Sequence, residues 1–193
     1  MTGIEDSELP PDEIREAQEI ARRALVLFAV VALALGAPRK DIIDWLQTEG
    51  LWNELSPMEL QYVSTSAPTD RDTLNMSWRS EALIVLLWEL GLVDKLPAAN
   101  EQCDASIFQG TLPPFTRVSV AEFTKSATRR PDDDLIGLAD DLVTLHWTAR
   151  DAKIHSRAPP PEIDIEIIQE RHHAINWSIG YDGAPWDEVT TDT

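Results

Sequence analysis

The chain has 193 residues, 34 acidic against 16 basic, a formal charge of −18, 43% hydrophobic residues and one cysteine. That length fits one domain, and roughly 70% of the unfolded surface can be buried, so a core forms without staples. The acidic balance argues against nucleic acid and anionic membrane surfaces as partners, and the lone Cys103 excludes an internal disulfide and suits a reducing compartment, the cytoplasm.

Residues 1–9 read as disordered. Pro10 and Pro11 then suit a helix start, with Asp12 and Glu13 in a first turn where the helix dipole favours acids. That helix should run through ALVLFAVVALAL (24–35) to a stop at Gly36-Ala37-Pro38. The apolar run follows Arg22 and Arg23, which raises the question of a signal peptide. The segment before it is long and acidic, the opposite of a signal's n-region, and the run is too short to span a bilayer. It therefore reads as a buried core helix.

A short helix over 41–49 should end at Gly50. Ser56-Pro57-Met58-Glu59 is a capping box with proline at the first helical position, and starts another. Residues 69–73 open a stronger helix that is apolar nearly all round over 82–90 and closes at Gly91. A helix without a polar face belongs in the middle of a domain. Residues 92–118 hold three prolines and little periodicity, as an ordered loop does. Ser119 and Glu122 form a second capping-box pattern. Pro131 with Asp132, Asp133 and Asp134 starts a long helix to about Arg157, and Pro159, Pro160 and Pro161 break the chain. Pro161 then suits the first position of a last helix over 162–179, ended by Gly180. No convincing strand, repeat or low-complexity segment is present. The expectation is an all-α fold: one compact domain over 10–193 of about six to eight helices, with an irregular loop around 92–118 and an ordered C-terminal tail.

Several polar residues sit against the apolar pattern of these helices. On the long helix Leu135, Leu138, Leu142, Leu145, Ala149 and Ala152 form one stripe, and Ile136, Val143, Trp147 and Ile154 another, which implies packing on two sides. His146, Arg150 and Asp140 lie between or beside the stripes and should be partly buried. On the last helix Glu170 and His172 each interrupt an apolar stripe, His173 lies one turn from Glu170, and Asn176 one turn beyond His173. Arg79 and Glu81 precede the all-apolar segment. Two readings stand. In one, Arg79, Arg150 and Arg171 pair with Glu81, Asp140 and Glu170 in some permutation and fix how three helices meet. In the other, His146, His173 and Glu170 do acid–base work in a pocket, with an arginine as anion clamp.

Glu170 and His173 have the Glu-x-x-His spacing of di-metal helical bundles, but such sites need a second pair on another helix and the sequence has none. No His-Glu-x-x-His, cysteine pair, Gly-x-Ser-x-Gly, phosphate loop or dinucleotide fingerprint occurs. No metal or cofactor is expected. Most of the seven tryptophans lie at helical spacing, as core residues do. Trp186 follows Pro185 in a turn-rich tail, which argues that the tail docks on the body.

WRSEALIVLLWELG from Trp78, HWTARDA from His146, ERHHAINWSIGY from Glu170 and WDEVTTDT from Trp186 resemble the bacterial family catalogued as domain of unknown function 4272. The resemblance runs from about Ile20 onward. In that family a Tyr-Arg pair usually precedes the His-Trp, where this chain has Thr144 and Leu145. The resemblance implies a fold and a set of marked positions, among them Arg79, Glu81, His146, Arg150, Glu170, Arg171, His172, Asn176, Trp186 and Asp187. It implies no activity. The leading expectation is a cytoplasmic protein that binds a basic protein partner without chemistry of its own, as an immunity or antitoxin-like protein would. The alternative is an enzyme or small-molecule binder with a pocket between the Trp78, His146 and Glu170 helices. Oligomeric state is not readable from the sequence.

Overall fold

The computed structural model describes residues 13–193. The expected disordered segment 1–9 and the helix start at Pro10 to Asp12 lie outside them. The described residues form eight α-helices: α1 (Ala17–Ala34), α2 (Arg39–Thr48), α3 (Pro57–Ser64), α4 (Asp70–Glu89), α5 (Ser106–Thr111), α6 (Val120–Ser126), α7 (Asp132–Ile154) and α8 (Ile165–Ser178). One 3₁₀ turn lies between α2 and α3 and two more lie in the tail after α8; no strand occurs among the described residues, so the fold is all-α. No helix among them is long and apolar enough to cross a membrane.

The apolar runs over 24–33 in α1 and 82–87 in α4 lie at the centre. α1 and α8 both pack on α4, and α7 packs on α8; α2, α3 and α6 pack on α1. From Ala82 to Leu87 every residue of α4 is buried, as an all-round apolar helix requires. Buried residues from Ala17 to Val189 form one continuous cluster, so the tail shares the core of the body.

Two helix starts differ from expectation. α1 begins at Ala17, because residues 13–16 are extended and serve other partners. Arg15 N–H donates to the Ser178 carbonyl, and the Glu13 backbone passes over Gly180. α8 begins at Ile165, not at Pro161. Asp164 is the cap, its Oδ1 accepting from the Glu166 and Ile167 amides, and a carboxylate there satisfies free N–H groups that proline leaves open. The capping box at Ser56 and Glu59 is present in both directions. At Ser119 only half of the box forms, with Ser119 Oγ accepting from Glu122 N–H.

The 92–118 loop contains α5, whose Phe108 is buried, and Leu112 beyond it is buried too. The apolar stripe of α7 at Leu135, Leu142, Ala149 and Ala152 is buried, with Leu138 and Leu145 half-buried. The second stripe is not covered. Ile136, Val143, Trp147 and Ile154 are 46%, 40%, 54% and 72% exposed, so α7 packs on one side only. Trp147 is thus a surface tryptophan.

Candidate functional site

Arg171, His172 and His173 are consecutive on α8, about 100° apart round the helix, and point to three different places. Arg171 enters the junction with α4. Its Nε and Nη2 donate to Glu81 Oε2 at 3.0 and 2.8 Å, Nη1 to the Pro97 and Ala98 carbonyls, and Nη2 also to the Glu101 carbonyl. All five guanidinium donors are used. Glu81 Oε1 accepts from the Cys103 amide. Arg171 and Glu81 are 2% and 1% exposed, so this pair holds the 97–103 loop on the core. The Cys103 thiol is pushed up to about 12 by burial and by the Glu81 carboxylate, which leaves it inert. Beside it, Arg79 donates to Glu170 Oε2 at 3.0 Å. Burial raises the Glu170 carboxyl against the pull of Arg79.

His172 turns toward α7. Its Nδ1 lies 3.1 Å from Nδ1 of His146, ring against ring edge, both buried. One nitrogen donates and the other accepts, so at most one of these two nitrogens carries a proton. Burial, then the His146 charge, pushes His172 down to about 4, opposed by the Asn176 side chain. Burial and then Arg150 lower His146. Both rings are neutral near pH 7. His146 Nε2 makes no hydrogen bond among the described residues. His146 borders an open cleft of about 300 Å³ with Arg150, Lys153 and Gln169. Arg150 Nη1 donates to Thr193 Oγ1 at 3.0 Å, its one hydrogen bond among the described residues.

His173 turns under the tail. Its ring meets the Trp186 ring edge-on, centroids 4.7 Å apart, and Trp186 also meets Trp177. Arg23 stacks over the other part of Trp186 at 4.7 Å. Burial and then Arg79 push His173 down to about 3. The tail is fixed by Asp187 Oδ2 accepting from the Met58 amide and by Asn176 Nδ2 donating to the Thr190 carbonyl. Trp186 is 4% exposed, so the tail is a docked part of the body.

The marked residues therefore fall into separate groups. Glu81 with Arg171, and Glu170 with Arg79, are ion pairs. His146 meets His172, not His173, and Arg150 meets the tail, not Asp140, which is exposed. Glu170 and His173, the Glu-x-x-His pair, serve different partners. No group of three or more His, Cys, Asp or Glu among the described residues is placed to hold a metal ion.

Three features were missed in the sequence. Arg23 and Glu59 form a second buried ion pair, 6% and 1% exposed; Glu59 carried only a capping-box signal, and Arg23 only a flanking one. Glu89 is fully buried with Oε2 accepting from Ser178 Oγ, and burial raises its carboxyl to about 8. An acid inside an all-round apolar helix was the available signal for it. Lys153 and Gln169, at the cleft, carried no signal of their own.

No curated protein and no solved structure matches the chain. One family model does, over residues 4–189. The chain belongs to the family described as domain of unknown function (DUF4272).

Proposed function

We propose that this protein binds a basic protein partner on the exposed face of α7 and does no chemistry of its own. The observation that carries the reading is the uncovered stripe of Ile136, Val143, Trp147 and Ile154, which lies along one line of the helix. Asp133 and Asp140 flank it on one side, with Asp151 beyond them already paired to Arg157, within a chain of charge −18. An apolar stripe beside a row of acids complements an amphipathic segment with basic and apolar side chains, and the surrounding field speeds its approach. The pairing of Arg79 with Glu170 and of Glu81 with Arg171 supports the same reading, since these charges face one another between helices. An immunity or antitoxin-like role in the cytoplasm, capping a basic toxin, is its concrete form.

The test is affinity capture of the tagged chain and its Trp147→Ser variant from native cells, at low and moderate salt. A basic protein held by the wild type, weakened by salt and lost with Trp147→Ser is the expected result. Capture that ignores Trp147→Ser removes this face from the reading. Self-association that Trp147→Ser abolishes replaces the basic partner with a second copy of the chain.

A further inference from the structure

The cleft at the junction of α7, α8 and the tail has a chemistry unlike the rest of the surface. Among the residues that border it are Arg150, Lys153, His146 and Gln169, and no carboxylate, in a chain with 34 acidic residues. His146 is 3% exposed and held by His172, so one wall is a fixed imidazole and not a mobile surface group. Arg150 is steadied by Thr193 Oγ1 through one N–H, which leaves most of its donor fork open. Ile154 and Ile165 supply an apolar wall, and Thr191 closes the tail side.

We infer that this cleft binds a small organic carboxylate, with the carboxylate on Arg150 and Lys153, a hydrogen bond from His146 Nε2, and the apolar body against Ile154 and Ile165. The planar guanidinium matches a carboxylate in two parallel bonds. A carboxylate selects the arrangement in which His172 Nδ1–H donates to His146 Nδ1, because His146 then carries its proton on Nε2. A phosphate dianion fits less well. The start of α8 adjoins the cleft at Ile165, but its first amides already serve the Asp164 carboxylate and are not open to a phosphate. The cleft volume, at the low end for ligand pockets, limits the occupant to a small acid. Ile154 borders both this cleft and the α7 face, yet the inference stands apart from the docking reading.

Isothermal titration of the full chain with benzoate, propionate and inorganic phosphate tests it, alongside ¹⁵N chemical shifts of the His146 ring. Expected are benzoate binding with a shift at His146 Nε2, weaker phosphate binding, and a loss of about tenfold or more with Arg150→Gln. Lys153→Gln, at an exposed position that does not threaten folding, is expected to weaken benzoate severalfold. Arg157→Gln, which touches only the Asp151 pair, and Trp147→Ser leave benzoate binding unchanged, so this site and the docking face fail separately. The inference is overturned if no carboxylate binds, if phosphate binds as tightly as benzoate, or if folded Arg150→Gln and Lys153→Gln both bind as the wild type does.

Discussion

The two faces of α8 use the same kinds of residue in opposite ways. Toward α4, Arg171 spends every donor on Glu81 and on three loop carbonyls, and both side chains are buried. Toward α7, one residue further along, His172 meets a second neutral ring, and beyond that ring Arg150 and Lys153 face an open cleft. A buried ion pair with all its hydrogen bonds made has nothing left to offer a ligand. A buried imidazole with a free nitrogen beside a guanidinium with one bond has. The difference separates architecture from the proposed carboxylate site within a single turn of helix.

The largest effect is expected where every bond is made. Arg171→Met leaves the Glu81 carboxylate buried without its counter-charge and three carbonyls without donors. Loss of one partner of such a pair costs about 3–5 kcal/mol. Urea unfolding should show that loss, and Arg171→Met with Glu81→Met should recover part of it. A variant as stable as the wild type would mean that the α4–α8 junction is not held by this pair.

The next effect appears as a dependence on pH. Burial holds the Glu89 carboxyl near 8 against 4.5 in an unfolded chain, so between those values the folded state keeps a proton the unfolded state has lost, and stability falls as pH rises. His172 and His173 sit near 4 and 3 against 6.5, so below 6.5 the unfolded chain takes protons the folded state refuses, and stability falls as pH drops. Two histidines outweigh one glutamate between 4.5 and 6.5, which places the maximum near pH 6.5. From there to pH 8 the Glu89 contribution amounts to about 2 kcal/mol. Glu89→Gln should flatten that alkaline limb while leaving the acid limb in place. An unchanged alkaline limb would show that Glu89 is already ionised in the folded protein.

A smaller loss is expected where α8 meets the N-terminal segment. Gly180 has φ +78°, and a Cβ there would lie 2.3 Å from the Glu13 carbonyl oxygen. Gly180→Ala must move that segment as well as adopt a left-handed backbone, for about 1–2 kcal/mol in thermal unfolding. Because Arg15 ties the same segment to the end of α8, the loss should appear there and not at the α4 junction.

Periodicity made the central helices legible, because α4 has no polar face and α8 has apolar residues on two sides. It also put Arg79, Glu81, Glu170 and Arg171 in one set, since charges inside such helices need partners, but it put Arg150 and Asp140 in that set too, and neither pairs there. It did not show which arginine takes which glutamate, because that depends on the rotation of α4 against α8. Arg23 with Glu59 was hidden, because a glutamate three residues after a serine already has a local explanation as a cap. The second stripe on α7 misled: an apolar line states that a face avoids water, not that this chain supplies the cover. The cleft was the least legible part, since Lys153 and Gln169 join it only through the angle between α7 and α8 and the path of the tail.

The smallest effect on stability is expected on that uncovered stripe, and it sharpens the contrast between the covered and open sides of α7. Trp147 is 54% exposed and is not among the residues packed on the core. Trp147→Ser should therefore shift unfolding by no more than about 0.5 kcal/mol, the usual range for surface positions. The matched change on the covered side, Leu142→Ala, should cost about 2–5 kcal/mol through the cavity it leaves. Equal losses would mean that the two stripes are buried alike in solution, with a second molecule already seated on the outer one. A small loss for Trp147→Ser, together with loss of the captured basic protein, is the combination that a face kept apolar for a partner requires.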